Sequence, residues 1–134
     1  MKTTLKTLVL ILAAVAATAC GKEKIYDGGS DKGAERGAIY ILCEGGMGSN
    51  NATLARYDAL EGTLTPSLFA DVNKMPLGDT GNDIVLTDDY IIMALSGSNI
   101  IQVCTLDGKA VKALESVPSV RRLAVDGDGR YLYA

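Results

Sequence analysis

From residue 38 onward, apolar positions come in short runs, each closed by a cluster of Gly, Asn, Asp or Ser. Runs this short, rich in β-branched and aromatic residues and bounded by turn formers, predict strands. The pattern places strands over residues 38–43, 51–58, 63–65, 83–87, 90–95, 100–106, 109–114, 123–126 and 131–134. In the second run Ala52, Leu54 and Arg56 fall on one face, and Thr53, Ala55 and Tyr57 on the other. Pro66 stops the third run, because proline cannot donate to a sheet ladder. Only residues 67–74 read as a short helix.

The runs repeat. Tyr40-Ile41-Leu42, Tyr90-Ile91-Ile92 and Tyr131-Leu132-Tyr133 write one strand three times. Ser49-Asn50-Asn51, a strand and Asp58 parallel Gly97-Ser98-Asn99, a strand and Asp107-Gly108. Ile84-Val85-Leu86-Thr87-Asp88 corresponds to Leu123-Ala124-Val125-Asp126-Gly127. The second spacing is about 40 residues and the first about 50, with the surplus in residues 66–81. A period near 40 built from short strands is the signature of propeller blades. The expected fold is all-β: a β-propeller, with about two N-terminal blades of four-stranded antiparallel sheets and the start of a third over residues 38–134. Propellers close with about 4 to 8 blades, so the expectation is an N-terminal portion of a longer protein.

Ahead of the repeats the pattern changes. Lys2 and Lys6 are followed by an apolar run over residues 8–19, broken only by Thr18, with no acidic residue before Glu23. A run of about 12 residues is too short to span a bilayer, which needs roughly 20, and fits the centre of a secretory signal peptide. Ala17-Thr18-Ala19-Cys20-Gly21 resembles the bacterial lipobox, with Ala17 where most lipoboxes carry Leu. The resemblance implies cleavage before Cys20, lipid on its thiol and new amino group, and attachment to a membrane surface. Two or three acyl chains hold stably where one does not. Without that resemblance the segment is the leader of an ordinary secreted protein. Residues 1–19 are read as signal peptide and residues 20–37 as a Gly-rich, charged tether containing Gly28, Gly29, Gly33 and Gly37.

Charge and composition narrow the chemistry. A net charge of −3 and a pI near 4.8 offer no basic surface for nucleic acid. The chain has no histidine, which removes the commonest general base, the Ser-His-Asp triad and most zinc sites. No cofactor is implied. Cys43 and Cys104 lie in different repeats; two small buried strand residues are expected rather than a disulfide.

Ser98-Asn99-Ile100-Ile101-Gln102-Val103, Asp107-Gly108-Lys109, Val117-Pro118 and Asp128-Gly129-Arg130-Tyr131-Leu132-Tyr133 together resemble a YncE-like propeller repeat. Glu44-Gly45-Gly46-Met47-Gly48-Ser49-Asn50, Leu54-Ala55-Arg56-Tyr57-Asp58 and Pro76-Leu77-Gly78-Asp79-Thr80 resemble the opening of surface propeller lipoproteins of Bacteroides type. That group includes vitamin B12 (corrinoid) capture proteins that sit over outer-membrane transporters. The resemblance implies an outer-membrane, cell-surface, non-enzymatic ligand-binding module, with a corrinoid as ligand and a transporter as partner. A propeller enzyme of lactonase or lyase type, with its site in further blades, is the competing class. An envelope protein-interaction scaffold is the third.

Two loops carry candidate binding residues. In residues 44–51, Asn50 and Asn51 belong either to a ligand-binding rim or to a long hairpin loop whose glycines take positive φ. In residues 75–83, Asp79, Thr80, Asn82 and Asp83 offer hydrogen-bonding groups either to a polar ligand edge or to the loop's own backbone. Asp126-Gly127-Asp128-Gly129 lacks the later ligands of a calcium loop and reads as a hairpin turn. Gly45-Gly46-Met47-Gly48 has no following helix or Lys-Ser/Thr pair, so it is no phosphate loop. Tyr40, Tyr90, Tyr131 and Tyr133 repeat in register and are expected to pack the framework.

Overall fold

The computed structural model describes residues 37–134. The signal peptide, Cys20 and all of the tether but Gly37 lie outside the described residues. Strands β1 (Ala38–Cys43), β2 (Thr53–Asp58) and β3 (Thr63–Thr65) form one antiparallel sheet in chain order. Helix α1 (Leu68–Asn73) follows. Strands β4 (Gly81–Leu86), β5 (Tyr90–Leu95), β6 (Ile100–Thr105) and β7 (Ala110–Leu114) form a four-stranded antiparallel meander. Strands β8 (Ala124–Val125) and β9 (Leu132–Tyr133) make a third, two-stranded sheet. The protein is all-β with antiparallel sheets, and the described residues form no closed ring. The first sheet has three strands where four are expected from the repeat.

Local chemistry sets the turns. The Asp58 carboxylate accepts from the N–H groups of Leu60 (3.0 Å) and Glu61 (3.1 Å), turning the chain from β2 into β3. Those bonds, the Glu61 N–H first among them, hold its carboxyl below the usual value; Arg56 adds its charge. Asp107 plays the same part after β6. Its carboxyl is lowered chiefly by the hydroxyl of Thr105, which donates to it. Asn50 and Asn99 both adopt left-handed backbone, at φ 50° and 54°, a region asparagine tolerates. Asn50, rather than Asn51, is thus the counterpart of Asn99, one residue off the sequence alignment. The Asp126–Gly129 turn is a plain hairpin: Asp126 accepts from the N–H groups of Arg130 (2.7 Å) and Tyr131 (2.9 Å).

Helix α1 buries Leu68 and Phe69 and stops at Lys74, which is left-handed at φ 58°. The Asn73 amide nitrogen donates to the carbonyls of Phe69 and Gly108, each at 2.8 Å, and its oxygen accepts from Ala110 N–H at 2.9 Å. One side chain thereby closes the helix and ties it to the β6–β7 turn.

The three sheets pack in series. Tyr40, Leu42 and Leu54 face Ile91, Met93, Leu95 and Cys104 of the second sheet, with Leu68, Phe69 and Leu77 completing that core. Alternate residues of the second sheet, Ile92, Ala94 and Ile101, face Val120, Leu123, Val125 and Leu132. Strand β5 is therefore apolar on both faces, as a doubly covered strand must be. Gly81 lies against the first sheet; a Cβ there would sit 3.0 Å from the Leu42 side chain.

Two expectations about packing fail. Cys104 is buried but Cys43 is exposed, and both thiols are free. Cys43 shares its β1 face with Ile39 and Ile41, while the alternate residues Tyr40 and Leu42 take the core side. Of the four tyrosines, only Tyr40 joins the framework, donating from its hydroxyl to the Leu106 carbonyl at 2.7 Å. Tyr90, at the first position of β5, and Tyr131 and Tyr133 are exposed among the described residues. No helix among the described residues is long and apolar enough to cross a membrane.

Candidate functional site

Three loops meet at one end of the first two sheets: residues 44–52 between β1 and β2, residues 74–80 between α1 and β4, and residues 96–99 between β5 and β6. Backbone bonds join them. Ala52 N–H donates to the Gly78 carbonyl (3.0 Å), Gly81 N–H to the Glu44 carbonyl (3.0 Å) and Ser96 N–H to the Thr80 carbonyl (3.0 Å).

Asp79 is the knot. Its carboxylate accepts from Gly48 N–H at 2.8 Å and from the Thr80 hydroxyl at 3.0 Å, while its own N–H donates to Ser98 Oγ at 2.8 Å. Gly97 has to be glycine for this: a Cβ would lie 2.8 Å from the Asp79 carboxyl carbon and 2.9 Å from Thr80 Oγ1. Thr80 is buried and sits at φ 54°. A β-branched residue avoids that backbone region, so the surrounding bonds must hold it there.

The six residues expected to bind ligand therefore divide. Asp79 and Thr80 are brought together and spent on the loops themselves. Asp83 is spent likewise, accepting from Ile84 N–H (3.0 Å) and Leu123 N–H (2.8 Å). Asn51 accepts from Gly46 N–H at 2.8 Å, which folds the first loop on itself. Asn82 lies at the irregularity between Gly81 and Asp83 in the β4–β5 ladder, and its buried Oδ1 has no hydrogen-bond partner among the described residues.

Asn50 and Asn51 reach a cleft of about 150 Å³. Leu54, Phe69 and Leu77 form its apolar floor, and Ser67 and Pro76 line it from the helix side. Neither Asp79, Thr80, Asn82 nor Asp83 lines it. Pro76 and Leu77 belong to the second candidate loop, but neither they nor Ser67 and Phe69 stand among the six candidate binding residues read from the sequence. The signal for Ser67 and Phe69 was the surplus of residues 66–81, which inserts α1 beside β2. Among the described residues no group of three or more His, Cys, Asp or Glu side chains stands together as a metal site would need. The cleft joins an apolar floor to a rim of amide and hydroxyl groups, on loops cross-tied to two sheets.

No family model matches the chain, and no curated protein matches it.

Proposed function

We propose that this chain belongs to a lipid-anchored surface β-propeller that captures a small molecule at the loop end of its first two blades. Three supports come together: the lipobox-like Cys20 segment, the repeat of about 40 residues, and antiparallel sheets packed face to face in series. Under this reading the protein is held at the outer membrane, on the cell surface, and hands its ligand to an outer-membrane transporter. It needs more blades than the described residues supply.

The observation that carries the binding role is the cleft between β2 and α1, where Asn50, Asn51 and Ser67 rim a floor of Leu54, Phe69 and Leu77. A space of about 150 Å³ holds roughly one benzene-sized ring. It therefore takes the edge of a larger ligand, and a corrinoid, with apolar methyl groups beside amide side chains, has edges of that character. Loops braced by Asp79 and Asn51 are pre-organised, which lowers the ordering cost of binding.

The test is a calorimetric titration of cyanocobalamin into protein starting at residue 20 and carrying Cys20→Ser. Binding at micromolar concentration, weakened tenfold or more when Ser67→Trp fills the cleft from its rim, is the expected result. An absence of heat at these concentrations removes the corrinoid. Incorporation of labelled palmitate in the producing cell, lost in Cys20→Ser, checks the anchor separately.

A further inference from the structure

One hydrogen-bonding group at the cleft between β2 and α1 has its polarity fixed by the fold. An asparagine side chain carries an acceptor oxygen and a donor nitrogen, and its partners decide which way it points. Gly46 N–H donates to the Asn51 side chain at 2.8 Å. A backbone N–H can only donate, so the atom it meets is Oδ1. Gly45 makes room for that oxygen: a Cβ there would lie 2.5 Å from it. Asn51 also lines the cleft. With Oδ1 turned into its own loop, Nδ2 is the half of the amide left for the cleft.

The rest of the lining says what can meet that donor. No Asp, Glu, Lys or Arg lines the cleft. An ion brought onto the floor of Leu54, Phe69 and Leu77 would lose water without gaining a counter-charge. The Asn50 amide and the hydroxyls of Thr53 and Ser67 can each donate or accept. The Asn51 amide, by contrast, can only donate. Leu54, Phe69 and Leu77 belong to the core between the first two sheets, so both the floor and this donor are built from described residues.

We propose that Asn51 Nδ2 selects the ligand: the cleft takes a neutral, apolar edge that carries a carbonyl oxygen, and the Asn51 amide donates to that oxygen. Asn51 has this part only if the cleft binds a small molecule, as proposed above. A carbonyl at this place gains one hydrogen bond, worth about fivefold in affinity. An ammonium or N–H group at the same place meets a donor and gains nothing.

NMR titration of the chain from residue 20, carrying Cys20→Ser, tests this with two one-ring probes. Acetophenone can only accept a hydrogen bond; benzylammonium can only donate one. Either is small enough for a space of about 150 Å³, and single rings bind in roughly the millimolar range. Acetophenone is expected to bind about fivefold tighter than benzylammonium, shifting the Asn51 Nδ2 proton signals together with the Leu54 and Leu77 amides. Asn51→Asp keeps an oxygen for Gly46 N–H and puts a carboxylate oxygen in place of the donor. The preference should therefore reverse, with amide exchange at Gly46 unchanged. A preference that survives Asn51→Asp means that Asn51 serves only its loop, and overturns the selection. So does acetophenone that shifts Leu54 and Leu77 but leaves Asn51 Nδ2 unmoved, a readout that needs no variant. Cyanocobalamin bound in the cleft, with no discrimination between the two probes, overturns the selection and leaves the binding role standing. No heat from cyanocobalamin and no shift from either probe removes both.

Discussion

The carboxylate of Asp83, at the start of the second sheet, accepts a hydrogen bond of 2.8 Å from the backbone N–H of Leu123, 40 residues further on. The two residues begin successive repeats, so the bond clips one sheet to the next near their first strands. Its other oxygen accepts from Ile84 N–H. Asp83→Ala leaves the Leu123 N–H without its acceptor and should cost about 1–3 kcal/mol in urea unfolding. Asp83→Asn keeps one acceptor and should recover part of that loss.

Asp79 braces the candidate site in the same manner but across loops. Asp79→Ala frees Gly48 N–H and the Thr80 hydroxyl, which now donate to it. Faster amide exchange at Gly48 is expected, with the amides of β5 and β6 unchanged. The stability cost should be near 1 kcal/mol, because the Gly48 bond is exposed and water replaces the lost acceptor.

Acid should act through Asp58 and Asp107. Both carboxyls titrate below their ordinary value, so their ionised forms are favoured in the folded chain. Such groups contribute stability above the unfolded carboxyl value, near 3.8, which is lost as pH falls through the lower folded value. The urea midpoint should fall as pH drops below about 4, and less steeply in Asp58→Asn. Carbon-detected NMR titration should place both carboxyls below the ordinary aspartate value of 3.8.

The two thiols should separate on the alkaline side. Burial, with a smaller push from the charge of Asp107, raises Cys104 to about 12 from an ordinary 9.0. Disulfide-exchange reagents at pH 8 should titrate the exposed Cys43 in the native chain and Cys104 only on unfolding. Because the unfolded thiol ionises first, stability present below pH 9 should decline as pH rises from 9 towards 12.

Most of the strand plan was legible because short apolar runs ended at Asp, Asn or Gly turns whose mechanism is local. β1, β3 and β5 begin and end where those runs do. The start of β4 was not legible. It begins at Gly81, two residues before the apolar alternation, and an irregularity between Gly81 and Asp83 hides the register. The roles of the site residues were less legible still. Asp79 and Asp83 look alike in sequence, and their partners Gly48 and Leu123 lie 31 and 40 residues away. A side chain's availability depends on such distant donors, which spacing does not reveal. Cys43 failed for a related reason: alternation fixes which side it takes, and only the arrangement of sheets decides whether that side is covered.

The serial packing also orders events during synthesis. Leu42 and Leu54 leave the ribosome well before Ile91, Met93 and Cys104, the residues that cover them. For that interval the first sheet can have hairpins and turns but no completed core on either side. A nascent chain of this design thus waits about one repeat length before its first core can close, once β6 has emerged.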